Sequence, residues 1–257
     1  MSDSRFDLIA IGAHPDDVEV GCGGVLIKLA EMGARTGIIY LTRGEMGTGG
    51  DPELRAAEAE RGAEIMRTEL LERLDLGDTR LVDTPENRTL VAGLIRRYQP
   101  QVVLAPWPRG GTGMRQSHAD HLACGQIVVN ARYYATFGKL QAEGEPYQVP
   151  GLFHYFLPAD EAPTFVVDIS DQFEGWIAAL QAHRSQFLNP NKPLGRDYFW
   201  HLETMGRWYG SLIGARYGQA FKSLEPLAVS NLFCLVRGKF AGVKCGGNPL
   251  QLDDDEQ

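Results

Sequence analysis

The sequence predicts a three-layer, Rossmann-like α/β fold, with a mostly parallel sheet and helices on both faces. Short apolar runs alternate with amphipathic stretches between residues 6 and 105, the pattern of βαβ units. The runs are rich in branched residues and nearly uninterrupted, as strands buried on both faces must be. The two chemically dense stretches, residues 12–19 and 106–121, each follow such a run directly. Open α/β sheets bind ligands there, beyond the carboxyl ends of the strands.

Taken in order, residues 6–11 form a buried strand. Val20, Val25, Leu26, Leu29 and Ala30 recur at helical spacing across residues 18–32, and Gly33 is the stop. Residues 36–41 are a second strand, followed by a polar loop over 42–50 that holds four glycines. Asp51-Pro52 reads as N-cap and first position of a helix to residue 68. A weak strand is expected at 74–76, a helix at 86–98 ahead of Pro100, and a buried strand at 101–105. The second half is less regular and packs on the same domain. Strands are expected at 152–157 and 164–168, a helix at 171–186 and an aromatic-rich helix at 198–217. No internal repeat or linker composition divides the chain. The expectation is one domain over 1–257: a catalytic core over 6–140, a substrate and oligomer part over 150–235, and an acidic tail at 250–257.

The 257 residues are 44% hydrophobic and 23% charged, ordinary for a protein with a sizeable core. A net charge of −8 and a pI of 5.3 argue against binding nucleic acid through general electrostatics. No stretch approaches the length of a membrane span, and the N-terminus lacks a basic leader pattern, so the expected location is cytoplasmic. Cys22, Cys124, Cys234 and Cys245 form no C-x-x-C pair, which fits reduced thiols.

Residues 11–24 read I-G-A-H-P-D-D-V-E-V-G-C-G-G. His14 precedes a proline and is therefore held extended at the strand end. Asp16 and Asp17 then fall at a helix start, where exposed N–H groups favour carboxylates. An ordinary turn with an Asp cap would give the same four letters. The second cluster is Ser117-His118-Ala119-Asp120-His121, with Ser117 as the expected N-cap and Asp120 in the first turn. His118 and His121 are three apart and share one helix face. Together the clusters offer imidazole and carboxylate ligands with a position left open, as catalytic zinc sites do.

These motifs, A-H-P-D-D over 13–17 and H-A-D-H over 118–121, resemble the LmbE-like, or PIG-L, family of zinc-dependent N-acetylglucosamine deacetylases. Leu54-Arg55 with Glu58-Ala59, and His183-Arg184-Ser185-Gln186, resemble further family segments. R-W-Y-G-S-L-I-G-A-R-Y-G-Q-A-F over 207–221 is similar to the signature of the bacillithiol-biosynthesis branch, which deacetylates N-acetyl-glucosaminyl-malate. The resemblance covers residues 6–230. It implies His14, Asp17 and His121 as metal ligands for zinc, with ferrous iron also compatible. Asp16 is implied as general base, and His118 as the cation stabilising the oxyanion, held by Asp120. Two departures stand out: Ala119 where the family usually carries proline, and a long, glycine-rich 106–117 stretch that reads as a lid.

For substrate contacts, Arg55 matches the family pattern and suits a carboxylate or sugar hydroxyl, because its fork binds bidentately. Asp78 matches a sugar-hydroxyl position; Glu45 and Arg109 are further candidates. Glu19 is expected to be a first-turn helix carboxylate. Tyr198, Phe199, Trp200, Trp208 and Tyr209 fit packing or subunit contact, and His154, His183 and His201 fit core or surface roles. A small-molecule N-acetylglucosaminide is the expected partner, with neither nucleic acid nor membrane, and a homo-oligomer is implied, a hexamer among the forms allowed. Other readings are a deacetylase of another N-acetyl amino sugar or of a mycothiol-type conjugate, a dinucleotide-binding module, and a non-catalytic metal-binding protein. The glycines near the first turn do not spell G-x-G-x-x-G, and carboxylates stand where a pyrophosphate would sit.

Overall fold

The computed structural model describes residues 5–111, 118–189 and 195–229. Five strands, β1 (Leu8–Gly12), β2 (Thr36–Tyr40), β3 (Glu69–Arg73), β4 (Val102–Pro106) and β5 (Gly151–Tyr155), form one sheet in the order β3-β2-β1-β4-β5. Every pairing is parallel, and Leu8 of the central strand lies opposite both Thr36 and Val102. The helices are α1 (Asp17–Glu31), α2 (Pro52–Met66), α3 (Pro85–Tyr98), α4 (Ala119–Tyr134), α5 (Phe173–Ala182), α6 (Arg184–Phe187) and α7 (Gly195–Leu212). A separate antiparallel pair joins β6 (Phe165–Asp168) to β7 (Gly218–Phe221).

Strand periodicity divides the core into two. Leu8, Ala10, Ile38, Tyr40 and Leu104 pack with residues of α1, α2 and α5. Ile9, Ile11, Ile39, Val103 and Ala105 pack with residues of α3 and α4 on the opposite face. These are the three layers the alternating runs imply. Chain order reverses between β1 and β4, so a crevice opens beyond their carboxyl ends.

The Asp51 carboxylate accepts the Leu54 N–H at 2.8 Å, with Pro52 in the first turn, as the sequence predicts. Three elements differ from expectation. The third strand is Glu69–Arg73, not 74–76, and α2 stops at Met66, where Arg67 turns left-handed with φ 55°. E-L-L-E-R is an edge strand, which needs no continuous apolar run. The helix expected over 171–186 breaks at His183 (ψ 60°), whose ring is drawn to Glu19 at 2.9 Å. The last helix ends at Leu212, and the chain turns through Gly214 (φ 69°) into β7. A Cβ on Gly218 would lie 2.9 Å from the Gly210 nitrogen, so these two glycines let β7 close onto α7.

The chain forms two compact units, Met1–Lys222 and Ser223–Gln257. In the second, the Ser223 hydroxyl donates to the Glu225 carbonyl at 2.6 Å. No helix among the described residues is long and apolar enough to cross a membrane. Cys22 and Cys124 are buried free thiols. Cys234, Cys245, the acidic tail and half of the expected lid, 112–117 with Ser117, lie outside the described residues.

Candidate metal centre and active site

The chain leaves β1 through His14 and turns sharply at Asp16, which has φ 140° and ψ −19°. A non-glycine residue rarely adopts such a backbone, and strain of this kind gathers at functional sites. Arg55 holds the turn. Its guanidinium donates to the carbonyls of Pro15 and Gly44, each at 2.8 Å, and reaches Asp16 Oδ2 at 3.3 Å. Arg55 is 3% exposed. Arg55, expected as a substrate contact, here braces Asp16, because the loop after β2 folds over its guanidinium.

His14 is the centre of the cluster. Its Nδ1 lies 3.4 Å from Asp17 Oδ2, and its Nε2 lies 3.1 Å from both Asp78 Oδ1 and Asp120 Oδ2. Asp17 reaches His121 Nε2 with its other oxygen at 3.0 Å. The His14 ring centroid is 5.0 Å from that of His118 and 5.4 Å from that of His121, and these two are 5.2 Å apart. Helical spacing thus brings both α4 histidines to the end of β1.

The electrostatics favour a cation. Burial alone would lower the His14 pKa, but Asp17, Asp78 and Asp16 push it up to about 11. Burial opposes ionisation of Asp78, yet the His14 ring and the Met46 N–H outweigh it and hold the carboxyl at about 2. Burial also works against Asp17, whose pKa is nonetheless pulled well down by His121 and His14. Asp16 moves the other way: burial raises it, and Arg55 opposes the rise.

The donors suit a divalent metal. Ligand nitrogens of His14, His118 and His121 lie within 4.8 Å of one another, with Asp17 between two of the rings. His121 Nδ1 is buried without a partner among the described residues. Imidazoles with a carboxylate are a set that zinc or ferrous iron accepts.

His118 is the N-cap of α4: its Nδ1 accepts the Asp120 N–H at 3.2 Å. This corrects the expected cap at Ser117. A backbone N–H only donates, so Nδ1 is the acceptor in this contact, which favours the neutral ring with its hydrogen on Nε2. Burial and the neighbouring His121 and His14 lower the His118 pKa, against the pull of Asp120. The imidazolium that the resemblance implies is not the species this geometry supports. Asp120 does not hold His118 through its carboxylate either. Its oxygens take His14 Nε2, the Thr79 N–H at 2.6 Å and the Leu81 N–H at 3.3 Å.

Asp78 and Glu45 interlock: Glu45 Oε1 accepts the Asp78 N–H at 2.8 Å, and Asp78 Oδ2 accepts the Met46 N–H at 2.9 Å. Arg109 is exposed, with its guanidinium 5.7 Å from the Trp107 ring centroid. Tyr198 and Phe199 pack against Phe187, whereas Trp200 and Trp208 are exposed.

Glu19 is a first-turn carboxylate of α1, as expected. It is fully buried, accepting the Tyr40 hydroxyl at 2.6 Å and contacting His183 Nε2 at 2.9 Å. Sequence reasoning also misses Phe156, which has φ 59° and a ring 5.0 Å from that of His121. Nothing local marks it, since only the fold brings it there. His183 lies in a segment flagged by resemblance, but its partner is 164 residues away.

A model of the GlcNAc-PI de-N-acetylase family, PIG-L, matches residues 9–132. The chain is 33% identical to the diacetylchitobiose deacetylase of Thermococcus kodakarensis over 227 residues, covering 84% of this chain and 82% of that protein. It is 26% identical to the 1D-myo-inositol 2-acetamido-2-deoxy-alpha-D-glucopyranoside deacetylase of Kineococcus radiotolerans, covering 70% of this chain and 68% of that one. The crystal structure of the conserved protein TT1542 from Thermus thermophilus superposes with a TM-score of 0.78 at 38% identity, covering 87% of this chain and 97% of that one. With the motif residues gathered around His14 and the similarity extending well beyond them, the chain belongs to the PIG-L, or LmbE-like, family of deacetylases.

Proposed function

We propose that the protein is a zinc-dependent N-deacetylase of N-acetylglucosaminides, acting on N-acetyl-glucosaminyl-malate in bacillithiol biosynthesis. The observation that carries the reading is the convergence of His14, Asp16 and Asp17 with His118 and His121 at the carboxyl end of the sheet. His14, Asp17 and His121 would hold the metal. A bound divalent ion supplies Lewis acidity toward an amide carbonyl and toward water.

The chain's own groups do the rest. Asp16 takes a proton from the attacking water and returns it to the departing nitrogen; its raised pKa suits a carrier that must bind and release a proton. His118 donates through Nε2–H to the oxygen that gains negative charge. Asp78 and Glu45 present carboxylates to sugar hydroxyls, and Arg109 meets an anionic substituent. The malate assignment is supported by the 207–221 segment, which folds into the end of α7, the turn and β7.

Related proteins act, by name, on diacetylchitobiose and on an inositol glucosaminide, so these conjugates are the alternatives. The test is amine release by the zinc-loaded protein from the malate, chitobiose and inositol compounds. The malate conjugate is expected to give the highest kcat/KM. A higher value for either other compound moves the assignment to it. Tight zinc binding with no release from any of them would leave a non-catalytic metal-binding protein.

A further inference from the structure

Asp16, Asp17 and His121 line a cleft of about 150 Å³. Most of its remaining wall is apolar or aromatic: Phe156, Leu157, Trp176, Leu202, Met205 and Tyr209. Asp78, Glu45 and Arg109 are not among the residues that line it. His201 and Gln219 also line it; the Gln219 amide oxygen is taken by the Val25 N–H at 2.9 Å, and its amide nitrogen is buried without a partner among the described residues. A sugar has several hydroxyls to satisfy and would leave most of them unpaired on a wall this largely apolar.

An amide has two sides, and the site has two sides to match. Asp78, the carboxylate that suits a sugar hydroxyl, lies at the Nε2 edge of His14. The apolar wall begins at His121, where the ring of Phe156 lies against the imidazole. The acyl group therefore belongs in the cleft. An acetyl methyl fills little of it, whereas a dry cavity of roughly this volume takes a benzene-sized guest.

Building on the deacetylase reading, we propose that this cleft is an acyl chamber, and that the protein hydrolyses N-acyl glucosaminides with chains of about four to six carbons at least as well as N-acetyl ones. The bond changes are those of amide hydrolysis. Water oxygen bonds to the acyl carbon and the C–N bond breaks. The amine takes the proton carried by Asp16, and the second water proton, released as the acid leaves as its carboxylate, makes it the ammonium. Each further methylene that is fully buried contributes about fourfold to kcat/KM, until the chamber is full.

Gly206 of α7 offers a way to shorten the chamber. It lines the cleft, and a Cβ there would meet Trp176 and Tyr217 at 3.5 Å, ordinary contact. Leucine favours the helix and would add its bulk beside Trp176, which lines the cleft.

The experiment measures kcat/KM for amine release from N-acetyl, N-butanoyl and N-hexanoyl glucosaminides, on the aglycone that is turned over fastest as the acetyl compound. Butanoyl and hexanoyl values at or above acetyl are expected. Gly206→Leu is expected to lower the hexanoyl-to-acetyl ratio at least tenfold. If both longer acyl compounds fall below acetyl, or the ratio is unmoved in a folded Gly206→Leu, the chamber is disproved while deacetylation stands. If no compound is hydrolysed, both readings fail. The wild-type series decides the matter alone should the variant not fold.

Discussion

Asp120 Oδ2 lies 3.1 Å from His14 Nε2, so the first turn of α4 grips the residue that ends β1. The same carboxylate takes the backbone N–H groups of Thr79 and Leu81. One side chain thus ties the start of α4 and the loop after β3 to the candidate metal ligand. Asp120→Asn would leave one oxygen for three donors. Zinc affinity is expected to fall about 10–100-fold, the usual effect of losing a group that orients a ligand. The metal-free protein should lose about 1–3 kcal/mol. Zinc titration and urea unfolding measure the two effects; unchanged zinc affinity would contradict the reading.

Arg55 separates two accounts of itself through kinetics. As the brace of Asp16, its replacement by methionine should lower kcat about tenfold while KM stays within about twofold. A substrate clamp would raise KM instead. Losing the guanidinium also removes the charge that opposes the burial-driven rise of the Asp16 pKa. The acidic limb of the rate profile should then move to higher pH, and an unmoved limb would count against Asp16 as the base.

His154 makes the fold sensitive to acid. It is fully buried with Nδ1 3.0 Å from the Pro106 carbonyl, and burial lowers its pKa from 6.5 to about 4. The unfolded chain therefore takes up the proton first as pH falls. The stabilisation is complete above pH 6.5 and is lost down to pH 4, amounting to about 3 kcal/mol. Denaturant unfolding at pH 7, 5.5 and 4.5 should follow this slope, and His154→Met should flatten it while lowering stability at pH 7.

Chelation should destabilise the protein. Three carboxylates, Asp17, Asp78 and Asp120, surround the His14 ring. An ion that binds only the folded state at a thousand times its Kd stabilises it by about 4 kcal/mol. Melting curves with zinc and with a chelator should differ accordingly, and the difference should vanish in His14→Ala. An equal gain from zinc in that variant would place the metal elsewhere.

The parallel strands β1, β2 and β4 were legible because burial on both faces demands nearly continuous apolar runs, and sequence alone displays them. Edge strand β3 and short β7 were not, since each depends on a neighbour that sequence does not reveal. The metal motifs were legible because histidines and carboxylates packed this densely serve no core. Their partners were harder to read. Glu19 looks like any first-turn acid until Tyr40 and His183 close over it, and Arg55 looks like a surface clamp until the Pro15 and Gly44 carbonyls claim it.

By itself the sequence determined the layer order, the helix cap at Asp51, and which histidines and carboxylates gather at the end of β1. These follow from local rules: periodicity, dihedral preference and residue type. Tertiary structure alone decided that the Asp120 carboxylate meets His14 rather than His118, that His118 Nδ1 accepts the Asp120 N–H, and that a largely apolar cleft opens beside His121. The first and last depend on atoms distant in sequence coming within a few ångströms. Electrostatics and burial act over that distance in space, whatever the separation along the chain.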